Sequence, residues 1–372
     1  MEGQKERMSN MELLRVFSML MIVMIHLMDK TEAITDIEAG RPMYYAGWIL
    51  MAVCRTGNNC FVLISGYFSK ESRFRLEKLL RLYVQVFFYS VTIAALMVFL
   101  HVDLTSSRLL AVVLPVTHRE YWFATVYIGL YCLMPFLNIM VDRTEERELR
   151  HLLIVLGILF SVIPTFFYAS GWMGESGAYS IVWFVFLYLA GAYIRNYGRE
   201  MAEKYKSKWI YCFLGTIGIV PLVRFAAVLL EGTEIAVKAP AILYSSNSLP
   251  MLCASLCLLM FFCSVRIERP GLSRAINRVG GLTFGIYLIH NNVNLSHYLW
   301  EKCRVHYWFA EKGNLLVVMG ILIAVFAACG FVEWLRQQLF KVLKTEKLIK
   351  WAAETMEKAV YKAGKRNEGA DK

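Results

Sequence analysis

Residues 13–28 read LLRVFSMLMIVMIHLM, apolar but for one arginine, one serine and one histidine. At 1.5 Å per residue a helix of this length covers about 24 Å, approaching the hydrocarbon thickness of a bilayer. Inside a water-soluble domain it would have to be surrounded by protein on every side. The rest of the chain offers no polar shell for that. Of 372 residues, 58% are hydrophobic and 14% aromatic, against 19% charged. One soluble core of this size cannot hide so much apolar surface, so lipid is the expected solvent, and disorder and collagen-like repeats are excluded.

Stretches of the same kind, about 16 to 25 residues long, recur near residues 46–68, 79–100, 121–141, 152–169, 181–194, 209–230, 248–265, 279–293 and 315–335. The expected fold class is therefore all-α, a polytopic membrane protein of about ten transmembrane helices. Short cytoplasmic loops retain Lys and Arg, which tests the scheme. Of 40 basic residues, 29 fall in the termini and alternate loops assigned to the cytoplasm, 8 in the outer loops, and three, Arg15, Arg55 and Arg224, within spans. An even number of spans with both termini cytoplasmic follows, at the plasma membrane. The formal charge of +11 is a record of topology, with no sign of a nucleic-acid surface.

No internal repeat is evident, so residues 1–340 are expected to form one membrane domain and 341–372 a basic tail. In the tail Val342, Leu348, Ile349, Ala352, Met356 and Val360 recur at roughly helical spacing among lysines. That pattern suits an amphipathic helix on an anionic inner leaflet, and equally a solvated basic tail. The N-terminus superficially resembles a secretory signal, but no small-residue cleavage site follows Met28, so a retained first helix is expected. Ser9-Asn10-Met11-Glu12 has the form of a capping box opening it. Nine cysteines include no Cys-x-x-Cys, and several sit in apolar runs. Neither a disulfide framework nor a metal site is expected.

Ionisable groups within spans are costly and mark candidate sites. Arg15 and His26 are eleven residues apart. At ~100° per residue that is three turns plus about 20°, so they share a face, about 16 Å apart along the axis. They can serve one path at two depths but cannot touch. The plain alternative is that Arg15 snorkels to the headgroups and His26 sits at the outer interface. In the second span Arg55-Thr56-Gly57-Asn58-Asn59 is polar, which suggests a break lining a cavity.

Four segments together resemble the acyltransferase-three family of integral membrane acyltransferases. Arg15 to His26 resembles its Arg-x10-His signature, and Asn59 to Phe68, ending Ser65-Gly66-Tyr67-Phe68, its Ser-Gly-(Phe/Tyr) stretch. Tyr121-Trp122-Phe123 with Tyr127, Tyr131 and Pro135-Phe136-Leu137-Asn138 resembles its Trp-Phe span. Phe284-Gly285-Ile286-Tyr287-Leu288-Ile289-His290 resembles its penultimate helix. The resemblance implies transfer of an acyl group, commonly acetyl, from cytoplasmic acyl-CoA to a hydroxyl of a cell-surface or lipid-linked carbohydrate, without a metal. It implies His26 as general base or transient acyl carrier and Arg15 as a catalytic cation at the thioester or CoA phosphate. CoA is anionic, and Arg75, Lys78 and Arg81 form a basic cluster with Arg73; Lys78-Leu79-Leu80-Arg81 resembles the family's basic pair, with a lysine where arginine is common. Arg55, Asn59, Ser65, Trp122, Tyr127 and His290 are candidate acceptor contacts. Some relatives carry a fused extracytoplasmic domain; none is expected after Leu335, so a second outer step is expected to need a partner of the glycan-assembly kind. The rival reading is a glycan exporter of the same fold, since intramembrane charges and broken helices also mark transport paths.

Overall fold

A computed structural model describes residues 8–69, 74–101, 106–167, 177–229 and 241–370. Arg73 of the basic cluster and the ends of the expected fifth and seventh spans, Ala169 and Leu230, lie outside the described residues. Among those residues the structure is helix joined by turns, with no strand. The chain is an all-α polytopic membrane protein. Seven helical stretches are long and apolar enough to cross a bilayer: Ser9–Asp29, Pro42–Tyr67, Leu76–Phe99, Trp122–Arg143, Glu146–Phe166, Lys208–Val228 and Leu315–Val342.

Helix α1 (Ser9–Asp29) is the axis of the bundle, with two-thirds of its span (67%) buried against about a third (28–33%) for α4, α6 and α14, described below. The sequence permits this because, from Leu13 to Met28, α1 is apolar on every face except at Arg15, Ser18 and His26. The outer helices turn large apolar side chains such as Phe136, Leu222 and Leu316 outward, where lipid replaces water as solvent.

The second stretch is two helices, α2 (Pro42–Cys54) and α3 (Gly57–Tyr67), meeting at Arg55-Thr56. The polar break read from the sequence is there, but its middle is packed. Thr56 and Asn59 are buried, and a Cβ on Gly57 would press on the Ser18 carbonyl of α1. Helix α4 (Leu76–Phe99) leads to a short α5 (Ser106–Val113), and α6 (Trp122–Arg143) returns. Helix α7 (Glu146–Phe166) opens with a capping box from Glu145 to Glu148 and contains a π turn at Ile158–Val162.

The other three expected spans fall on shorter helices. These are α8 (Ile181–Tyr193), which runs on through a π turn to Tyr205, and α10 (Leu249–Ser264), which packs on α9 (Lys208–Val228). The third is divided between α11 (Pro270–Gly280) and α12 (Thr283–His290). After α13 (Val293–Cys303) the chain recrosses as α14 (Leu315–Val342) and ends in α15 (Thr345–Ala370).

Small residues let these helices approach closely. Gly66 of α3 lies against the Tyr188 carbonyl of α8, and Gly191 of α8 against the Leu63 carbonyl of α3, with no room for a Cβ at either. The Ser-Gly pair at 65–66 thus divides its work, Gly66 facing a helix and Ser65 an opening. Gly285 gives way in the same manner to the buried carboxylate of Glu333 on α14. That carboxylate accepts from Tyr89 Oη at 2.7 Å, Arg336 at 2.7 and 2.9 Å and Gln337 at 2.8 Å, tying α4 to α14.

One expectation is corrected. Met8, not Ser9, is the N-cap of α1, and no side chain caps it. Ser9 Oγ shares a hydrogen bond with Ser273 Oγ at 2.5 Å, and Glu12 Oε1 accepts from Arg15 Nη1 at 2.6 Å. A charged donor one turn away outcompetes a backbone N–H for the carboxylate.

Candidate active site

Two clusters occupy the two ends of α1. Around Arg15, helices α1, α3, α4 and α6 enclose a cavity of about 300 Å³ lined by Arg15, Ser65, Lys78, Arg81, Tyr127 and Tyr131, with Phe68, Leu82 and Met134. Five residues singled out from sequence therefore share one cavity: Arg15, Ser65, Lys78, Arg81 and Tyr127. Ser65 Oγ and Tyr127 Oη are 3.2 Å apart. The Arg75 side chain is exposed and does not line the cavity, although its backbone N–H donates to Tyr131 Oη at 3.1 Å. Arg81 is engaged on its outer side, donating to Glu77 at 2.8 Å and to Glu346 of α15 at 2.5 Å. Three cations with three hydroxyls make an opening suited to a polyanion.

At the other end, His26 Nδ1 lies 2.9 Å from His290 Nε2, although the two are 264 positions apart. His290 Nδ1 is 2.6 Å from the Ile286 carbonyl, and the residue has no exposed surface (0%), while His26 is partly accessible. One turn beyond His26, Asp29 pairs with Arg55 at 2.7 Å, which seats Arg55 at this end.

A wall of aromatic rings connects the clusters. Along α6 the rings of Tyr127 and Phe123 stack with centroids 6.1 Å apart, Phe123 meets Tyr287 of α12 at 5.7 Å, and Tyr287 meets His290 edge-on at 6.2 Å. Trp122 stands apart from both clusters, edge-on to Tyr179 at 4.6 Å. Asn59 is packed between helices. It is 1% exposed, donates to the Ser246 carbonyl at 2.7 Å and accepts from Trp183 Nε1 at 3.1 Å. Arg224, without a role in the sequence, lies over the Trp48 ring at 4.2 Å and donates to Tyr44 Oη at 3.1 Å.

Sequence reasoning missed three groups around these clusters: Glu12, Asp29 and Glu346. Glu12 reads in the sequence as part of a cap. Asp29 carried a signal, an acid at the end of an apolar run with an arginine, Arg55, inside the next one. Glu346 sits among tail lysines and carried none.

The chemistry available is specific. A partly accessible imidazole oriented by a buried one can take a proton from a hydroxyl, and Arg15, about 16 Å away along the same helix, can with Lys78 and Arg81 of α4 hold an anionic group. No curated protein and no solved structure matches the chain. The Acyl_transf_3 family model, described as an acyltransferase domain, matches residues 8–334. With nine-tenths of its length so matched and its histidine and arginine clusters set at opposite ends of one central helix, the chain belongs to the acyltransferase-three family, as a membrane acyltransferase.

Proposed function

We propose that the protein moves an acyl group, acetyl by family custom, from cytoplasmic acyl-CoA to a carbohydrate hydroxyl on a cell-surface or lipid-linked glycan. The observation that carries this reading is the Arg15–Lys78–Arg81 cavity at one end of α1, with His26 on the same helix at the other. The end rich in Lys and Arg is the cytoplasmic one by the positive-inside rule, so the cavity faces the compartment that supplies acyl-CoA.

CoA phosphates pair with Lys78 and Arg81, and Arg15, the deepest of the three cations, lies nearest the path of the phosphopantetheine arm. The aromatic wall from Tyr127 to Tyr287 guides the thioester toward His26. There the acceptor hydroxyl gives its proton to His26 as its oxygen attacks the thioester carbon. The C–S bond breaks, and the proton passes to the departing thiolate. A neutral hydroxyl is a poor nucleophile, and such general-base help contributes about 10²–10⁴-fold. Arg55, beside His26 through Asp29, is placed to meet the acceptor. The exporter reading draws less support, because the break at Arg55-Thr56 is filled by packed side chains.

The test compares glycan O-acyl groups by NMR in cells that lack the protein, carry it, or carry His26→Ala at equal protein level. Loss of the acyl signal in both altered strains is expected. Unchanged acylation with His26→Ala, alongside altered glycan export on deletion, would establish the exporter instead.

A further inference from the structure

The two hydrogen bonds of His290 fix more than its own position. A carbonyl oxygen only accepts, so at 2.6 Å from Ile286 O the proton of neutral His290 must be on Nδ1. Its Nε2 is then an acceptor, and the partner at 2.9 Å, His26 Nδ1, must be the donor. With its proton committed to Nδ1, His26 presents the lone pair of Nε2 to whatever enters.

Other contacts hold His290 in place. It is wholly buried (0% exposed), flanked by Tyr287 and Trp300 with ring centroids 6.2 and 6.3 Å away. Two residues after it, Asn292 donates to Tyr121 Oη at 2.5 Å and caps α13 by accepting from the backbone of Asn294 and Leu295. A side chain without accessible surface cannot meet an acceptor sugar.

We propose that His290 is a positioning residue, which through the chain Ile286 carbonyl, His290, His26 holds His26 in the Nδ1–H tautomer with Nε2 free to act as base. The catalytic part rests on the acyl-transfer reading of His26, whereas the tautomer assignment does not. When His26 takes the hydroxyl proton on Nε2, both of its nitrogens carry hydrogen. The Nδ1–H bond to His290 then strengthens because its donor is charged. Neither proton of the dyad needs to move between the rings, and the proton gained on Nε2 leaves with the thiolate.

The first test is independent of activity. Protein labelled with ¹⁵N-histidine in nanodiscs, with the His26 signals identified by their loss in His26→Ala, is expected to show His26 as the Nδ1–H tautomer. His290→Leu is expected to lose that preference. An Nε2–H tautomer at His26 in the unmodified protein would overturn the proposal whether or not acyl transfer occurs. The second test follows CoA release from acetyl-CoA by nanodiscs made with lipid extract of the source cells, which supplies the acceptor. His290→Leu is expected to lower kcat about 10²-fold, the scale of a lost general base, with KM for acetyl-CoA unchanged. His290→Gln, whose amide oxygen can accept from His26 Nδ1–H, is expected to recover most of that loss. Leu and Gln variants equally impaired, or an altered KM with unchanged kcat, would count against a positioning role. If His290→Leu does not fold, the tautomer of the unmodified protein and the Gln variant still decide.

Discussion

Arg15 does not wait for a ligand with its charge unanswered. Glu12, 7% exposed at its side chain, holds it at 2.6 Å, and the second Glu12 oxygen is buried without a partner. Arg15→Ala therefore leaves a buried carboxylate unpaired, which costs on the order of 3–5 kcal/mol when a buried pair is broken. Loss of activity in that variant would mix instability with lost donor binding. The double variant Glu12→Gln/Arg15→Ala separates them. Its thermal midpoint in detergent is expected to recover most of what Arg15→Ala loses, while its KM for acetyl-CoA stays raised by tenfold or more, the scale of one charge-assisted contact. A normal KM in the double variant would remove Arg15 from the donor site. Asn59 makes the opposite case at this scale. Asn59→Leu is expected to lower the amount of folded protein while leaving KM for acetyl-CoA unchanged in what folds, because its amide bonds join α3 to the Ser246 backbone and to Trp183 of α8.

Between elements, the α3–α8 contact depends on two glycines, each against the other helix's backbone. Gly66→Ala places a methyl on the Tyr188 carbonyl, and overpacking of this kind costs about 1–3 kcal/mol. Because Ser65 and Phe68 of α3 line the Arg15 cavity, the proposed acyl-CoA site, that strain is expected to appear both as a lower melting temperature and as weaker acetyl-CoA binding in a thermal-shift titration. Helix α15 bears on the same cavity from outside. It packs on α4, with Ile349 and Ala353 buried and Leu348, Trp351 and Met356 exposed. Its Glu346 competes for Arg81 with any phosphate. Exposed ion pairs are worth no more than about 1 kcal/mol, so Glu346→Gln is expected to lower KM for acetyl-CoA by up to about fivefold, an effect that fades in high salt. An unchanged KM at low salt would mean that Arg81 plays no part in donor binding. The exposed apolar residues of α15, a tryptophan among them, suit the surface of the lipid leaflet beside α4.

For the whole molecule, the functional reading requires the Arg15 end of α1 to face the cytoplasm. A green fluorescent protein fused after Lys372 is expected to fluoresce, and an alkaline phosphatase inserted at Thr117–Glu120 to be active. The reverse pattern would place the basic cavity away from acyl-CoA and end the proposed reaction. The number of crossings hangs on α8, α10 and the α11–α12 pair, whose α-helical segments are shorter than the seven long stretches.

Much of this was legible in the chain itself, and the reason is that it is local. The sixteen residues from Leu13 to Met28, thirteen of them apolar, must be a helix in lipid, because a helix satisfies every backbone N–H and carbonyl within the segment itself. The break at Arg55-Thr56 announced itself through Gly57 and two asparagines, and the eleven-residue spacing put Arg15 and His26 on one face of one helix. What required the tertiary structure is every choice between equally good partners. Glu12 could cap a helix or pair with Arg15, and the local sequence allows both. Asn59 could face a substrate or a neighbouring helix, and only the packing of α3 on α8 and α10 points it inward. His290 could have stood at an interface alone; it meets His26 because α12 docks on α1 across 264 residues. Periodicity and solvent act on neighbours in sequence and so are written into it one helix at a time. Which faces of the helices meet depends on the packing of all of them together, and that packing brings His290 to His26 and three cations to one cavity.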